Sequence, residues 1–162
     1  MAEKTLDDLF LETLKDIYYA ERQILKALPK MASAAQSDAL RAGFLEHRDQ
    51  TEGHVDRLQQ IFDMLDKPAR GKTCEAILGI IEEGKEIMGE FKSAPALDAG
   101  LISAGQAVEH YEIARYGTLK SWADQLGRQD AAKLLQATLD EEIETDRKLT
   151  QLAEADVNKK AA

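Results

Sequence analysis

Five carboxylates stand where the spacing of apolar residues calls for a hydrophobic side chain, and carboxylates are ligands for hard metal ions. Glu21 interrupts the stripe Leu14, Ile17, Tyr18, Ile24, Leu25 and Leu28. Glu109 and Glu112 interrupt Leu101, Gly105, Val108, Tyr116 and Leu119, while Glu142 and Asp146 interrupt Leu135, Leu139, Leu149 and Leu152. An ionised carboxylate withdrawn from water costs several kcal/mol unless something compensates it, against a net domain stability of about 5 to 15 kcal/mol. Something cationic is therefore required among them. Glu109 and Glu112 are three apart and Glu142 and Asp146 four apart, so each pair projects from one face of its helix. Iron and manganese suit carboxylate and imidazole donors, and two ions sharing bridging carboxylates relieve the repulsion that would otherwise raise the acids' pKa values.

The second helix offers histidines instead. His47 and His54 flank Thr51, and Gln50 and Thr51 stand where a carboxylate would complete the set. His47 is the favoured ligand because Phe44, His47 and Thr51 share a face; His54 is the alternative, and Gln50 is a further candidate. The expected metal set is Glu21, His47, Glu109, Glu112, Glu142 and Asp146. A lone acid on an apolar stripe more often lies at its boundary beside an arginine, and Arg22, Arg57, Arg115 and Arg147 are available. Five acids at one level make that explanation weaker, since buried acids are rarely unpaired. His110 should point away from the Glu109 face, Tyr18, Tyr111 and Tyr116 read as packing residues, and Cys74 as a small buried side chain.

The elements that would position these groups follow from hydrophobic periodicity. A first helix from Thr5 to about Ala35 opens on a capping-box variant, Thr5 with Asp8, and Pro29 predicts a kink or an earlier end. Ser37 or Asp38 caps a second helix that stops near Asp66, and Lys67 to Thr73 reads as a loop. A shorter pattern from Ile77 to Phe91, weakened by three glycines, reads as a connecting helix. Pro95 suits the first turn of a long helix to about Leu126, Gly127 ends it, and a last helix spans about Asp130 to Ala155. The two hairpins are joined by roughly thirty residues, far more than antiparallel neighbours need, and enough to cross a bundle from end to end.

A weak symmetry ties the elements to the acids. Glu21 lies fifteen residues before Gln36 and Glu112 fifteen before Gly127, and the same distance past each turn reaches Thr51 and Glu142. All four helices should bring their centres to one height.

Composition narrows the classes. With 162 residues, Gly 10 and Pro 3, one domain over 1–162 is expected. No apolar run approaches the ~20 residues of a membrane span, no signal peptide is visible, and the one cysteine cannot pair internally. A cytoplasmic protein is expected. The net charge of -9 argues against nucleic acid as a partner.

The segment LKDIYYAERQILKALPKM from Leu14, with GKTCEA from Gly71, VEHYEIARYGTL from Val108 and LDEEIETDRKLTQLA from Leu139, resembles the YciE/YciF family of stress-associated ferritin-like bacterial proteins. The resemblance implies an all-α ferritin-like four-helix bundle with an added crossover helix between the second and third long helices, a homodimer, and a di-metal centre. Glu21 matches the first-helix ligand, Glu109 and Glu112 the third-helix pair, and Glu142 with Asp146 the fourth-helix pair. Neither the second nor the fourth helix carries the Glu-x-x-His tetrapeptide of the wider ferritin-like pattern. The expected cofactor is two divalent ions, iron first and manganese second, in a stress protein that reacts with oxygen or peroxide or sequesters metal. The rival is a non-catalytic structural or interaction protein with a degenerate site; a storage cage ranks below both.

Overall fold

The computed structural model describes residues 2–162, and its element order is α1 (Leu6–Ala34), α2 (Asp38–Met64), α3 (Glu75–Glu90), α4 (Leu97–Gln125) and α5 (Gln129–Leu152). A π-helical turn, Ala153–Val157, then leads into a last short helix, α6 (Asn158–Ala161). The four long helices form the expected ferritin-like bundle. α1 packs on α2 and α4, α5 packs on α4 and α2, and α3 lies outside, across α4 and α1. No described helix is long and apolar enough to cross a membrane.

Local chemistry sets the boundaries. Thr5 and Asp8 form the capping box, the Asp8 amide donating to Thr5 Oγ1 at 3.3 Å and the Thr5 amide to Asp8 Oδ2 at 2.8 Å. α1 continues five residues past Pro29 rather than ending there; the proline removes one intrahelical donor but leaves the buried faces of Leu28, Met31 and Ala32 to hold the helix. Ser37 Oγ caps α2. α4 begins at Leu97, two residues later than Pro95 would suggest, because residues 94–97 close as a turn with the Leu97 amide donating to the Ala94 carbonyl. Gly127, at φ 73°, supplies the left-handed residue between α4 and α5. The chain past α5 stays helical beyond Ala155 through the π-turn, where Ala153 and Val157 remain buried.

One carboxylate away from the centre fixes the topology. Asp98, at the start of α4, accepts the amide protons of Gln36 at 2.8 Å and Ser37 at 2.7 Å, in the turn before α2. The N-terminal ends of α2 and α4 therefore lie at the same end of the bundle, so the two helices run parallel and residues 65–96 return the chain along the bundle's length. Cys74 caps α3, its sulfur 3.0 Å from Tyr111 Oη on α4, and the Tyr111 hydroxyl donates to Asp16 on α1. Gly100 allows α3 to lie close: a Cβ there would come within 2.6 Å of Ile87. Leu14, Ile17, Leu40, Leu58, Leu101, Leu119 and Leu135 fill the core above and below the central polar layer.

Candidate metal centre

The layer anticipated from the symmetry exists. Glu21, Thr51, Glu112 and Glu142 are each fully buried, one from each long helix. His47 and His54 are seven residues apart on α2, two turns of helix, yet their ring centroids are only 6.2 Å apart because both rings lean toward the layer between them. Thr51, between them, donates to the His47 carbonyl at 2.7 Å and so adds no free polar atom.

Two groups of ligand atoms result. One atom each from His47, Glu109, Glu112 and Glu142 lies within 4.8 Å of the others, and the same holds for Glu21, His54 and Glu142. Glu142 belongs to both. His54 Nδ1 is 3.0 Å from Glu21 Oε2 and 2.9 Å from Glu142 Oε1, while His47 Nε2 is 2.7 Å from Glu109 Oε1 and 3.9 Å from Glu142 Oε2. The His47–Glu109 and His54–Glu142 pairs are close without hydrogen-bond alignment. Both oxygens of Glu112, both of Glu142, and one each of Glu21 and Glu109 are buried with no hydrogen-bond partner.

The arginines do not compensate these acids. Arg22 lies over the Tyr18 ring, Arg115 over the Tyr111 ring, Arg147 bonds Glu144, and Arg57 bonds Glu141. Orphaned buried oxygens are the pattern a cation fills, and four carboxylates with two imidazoles form a donor set that could hold divalent metal. The residues present fit a two-metal group.

Without a cation the layer must hold protons. Burial, joined by the charge of Glu21, pushes Glu109 up to about 7. Burial and the neighbouring Glu109 carry Glu142 well above the usual carboxylate range. Burial opposes protonation of His54, but the adjoining carboxylates of Glu142 and Glu21 outweigh it and push the imidazole up to about 11. Tyr116, fully buried with its hydroxyl unpartnered, is held far above its ordinary value by burial and by the charges of Glu21 and Glu142.

Five of the six expected residues, Glu21, His47, Glu109, Glu112 and Glu142, come together; Asp146 does not. It is one turn further along α5, its side chain 21% exposed, and its carboxylate takes Gln106 at 3.2 Å and His110 at 3.1 Å. That is the boundary position described above for a lone acid, with His110 on the surface as expected. Both histidines of α2 reach the layer, His47 in one group of potential ligands and His54 in the other. Gln50 instead accepts from Thr145 at 3.2 Å. Sequence reasoning missed Glu141, whose Oε2 lies 2.9 Å from His54 Nε2 and whose Oε1 accepts from Arg57 at 2.6 Å. Its signal was the adjacent pair Glu141–Glu142, one acid turned inward and the other to the seam.

Comparison with known proteins agrees with this architecture. The family model described as a domain of unknown function (DUF892) matches residues 5–162. YciF of Escherichia coli K12 is 44% identical over 162 residues, covering 99% of this chain and 98% of that one. The crystal structure of the E. coli stress protein YciF superposes with a TM-score of 0.92 over 97% of this chain and 99% of that one. YcfI of Rhodopseudomonas palustris superposes at 0.88, with 46% identity over 91% and 94%. A Xanthomonas campestris protein, 21% identical with a TM-score of 0.75 over 96% and 94%, shares the fold.

Proposed function

The chain belongs to the DUF892 family, and on that footing we propose that its buried carboxylate and histidine layer binds two divalent metal ions, iron or manganese, in a protein of the stress response. The observation that carries this reading is Glu112, a carboxylate with both oxygens buried and unpartnered in a layer no arginine reaches. The stress setting comes from the relationship to E. coli YciF, and the homodimer expected from the sequence belongs to the same reading.

In this reading Glu21 and His54 would hold one ion and His47, Glu109 and Glu112 the other, with Glu142 available to both. Bound iron or manganese supplies Lewis acidity and one-electron chemistry toward oxygen or peroxide. The protein does the rest. Glu141 accepts from His54 Nε2 and so turns Nδ1 toward Glu21 and Glu142. The apolar residues on either side of the layer keep Glu21, Glu112 and Glu142 fully buried, which strengthens the charge interactions among them. His54, Glu109 and Glu142, the groups whose affinity for protons is raised, would give up protons to a bound metal.

A second reading has one specific observation behind it. Those same protons can compensate the layer with no metal, as a structural or interaction module requires. Elemental analysis after expression in iron- and manganese-supplemented medium separates the two. Near two equivalents per chain, lost in Glu112→Ala, supports the two-metal reading, together with a rise in Tm on adding the metal. No metal under either supplement sinks it and leaves the module.

A further inference from the structure

A cavity of about 560 Å³ lies against the centre, walled by all five major helices. Small residues are among its lining: Ala27 on α1, Gly43 on α2, Gly84 on α3, and Ala104 and Gly105 on α4. A Cβ added at Gly43 would meet nothing within 4 Å. Close packing normally leaves few voids larger than a water molecule, whereas this volume falls in the range of small-molecule pockets, roughly 300–1,000 Å³.

The walls select a ligand class. Leu28, Phe44, Val108 and Leu149 make the lining largely apolar, and at its depth buried His47 and Glu109 are shared with the metal centre. Four exposed lysines, Lys26, Lys30, Lys85 and Lys148, are also among its lining. Lys148 is paired with Glu46 and Lys85 with Glu82. Lys26 and Lys30, four apart on one face of α1, are left for an anion in a chain whose net charge is otherwise -9.

We propose that this cavity binds an unbranched alkyl carboxylate, its chain along the apolar walls, its carboxylate on Lys26 and Lys30, and its far end beside His47 and Glu109. As the substrate class of the centre this ligand rests on the two-metal reading; as a bound ligand it rests on the cavity alone. A cationic head group is disfavoured by the lysines, and a polar chain by the walls.

The test is calorimetric titration of the full chain with dodecanoate below its micellar concentration, metal-free and manganese-loaded, with metal content measured on the same samples. One equivalent should bind, at least ten-fold tighter than dodecyltrimethylammonium. Gly43→Leu, which grows a side chain into open space, should weaken binding at least ten-fold with metal content unchanged. The double variant Lys26→Glu, Lys30→Glu should weaken it similarly at unchanged Tm. Absent binding, indifference to the head group, or full binding by Gly43→Leu would overturn the proposal. So would a wild-type dimer that excludes dodecanoate and dissociates in Gly43→Leu, since a second copy then covers the opening. Metal without dodecanoate removes this site and leaves the centre; dodecanoate without metal keeps the site and removes its substrate role.

Discussion

Glu141 grips His54 from behind: its Oε2 lies 2.9 Å from His54 Nε2 while its Oε1 accepts from Arg57 at 2.6 Å. Arg57 also donates to Thr138 Oγ1 at 3.2 Å, so the guanidinium, the carboxylate and the imidazole form one chain from the α2–α5 seam to the layer. Histidines that ligate metals characteristically give their outer N–H to such a carboxylate. Glu141→Ala should therefore lower metal affinity about 10- to 100-fold while the saturating stoichiometry stays that of the wild type. A competition titration against a chelating dye checks this. Unchanged affinity would reduce Glu141 to a surface partner of Arg57.

Glu112 gives the sharpest separation of binding from stability. Replacing buried ionisable groups by well-packed hydrophobic side chains of similar volume is often neutral or stabilising, by about 1 to 4 kcal/mol. Glu112→Met should raise the Tm of the metal-free protein and abolish the Tm rise that added iron or manganese gives the wild type. Thermal melts with and without metal measure both. A variant that still responds to metal would place the ligands elsewhere.

The metal-free and metal-loaded proteins should respond to pH with opposite signs. Glu109 rises from an ordinary carboxylate value of 4.5 to about 7 and His54 from 6.5 to about 11 in the fold, so the native state binds more protons than the unfolded chain. Their stabilisation is full below the unfolded values and is lost as pH climbs through the folded ones, from about pH 4.5 to 7 for Glu109 and from about 6.5 to 11 for His54. Metal-free protein should be more stable near pH 5 than near pH 8, by a few kcal/mol in order of magnitude. Loaded protein has exchanged those protons for metal and should gain stability over the same interval. Glu141, held below its ordinary value by Arg57 and His54 despite partial burial, adds stability that is lost only on acidification. Denaturant melts at both pH values, with and without manganese, decide it; parallel slopes would contradict the exchange.

Much of this architecture is legible in the sequence, and what is not has physical causes. The bundle, the crossover helix and the buried layer follow from periodicity, since a carboxylate inside a three-and-four stripe is visible in one dimension. Asp146 satisfied the same periodicity but sits 21% exposed; four residues rotate it about 40° from Glu142, enough to reach Gln106 and His110 instead. His47 and His54 read as competitors because two turns of helix separate them, and only side-chain lean brings their rings to 6.2 Å. Glu141 lies at the edge of the buried stripe and Asp98 in the first turn of α4, both places where acids are ordinary, so their partners on distant elements left no local trace.

Asp98 illustrates how a residue of that kind can carry the architecture. Its carboxylate accepts two backbone amides, Gln36 and Ser37, at 2.8 and 2.7 Å, and is only 8% exposed. Hydrogen bonds to a charged acceptor contribute about 1.5 to 3 kcal/mol each. Asp98→Ala should thus destabilise the fold by on the order of 3 kcal/mol, with amide exchange accelerated at Gln36 and Ser37 and no change in metal stoichiometry at permissive temperature. Asp98→Asn retains one acceptor oxygen and should recover part of the loss. Equal stability of Asp98→Ala and wild type would mean that water caps the turn as well as the carboxylate does.

Asp146 is the residue on which sequence and structure differ about the centre itself. If it ligates metal, Asp146→Ala should lower the bound equivalents; if it is the partner of Gln106 and His110, the variant should keep them. The geometry favours the second outcome, because both Asp146 oxygens are engaged and neither metal group includes one. The expected cost is about 1 kcal/mol of stability from the lost side-chain bonds. His110→Ala should reproduce only part of it, since Gln106 still binds Asp146 and donates to Thr150 Oγ1 at 2.7 Å. Metal analysis of Asp146→Ala beside Glu142→Ala settles the assignment: full content in the first with loss in the second confines the centre to the buried layer, whereas loss in both returns Asp146 to the ligand set.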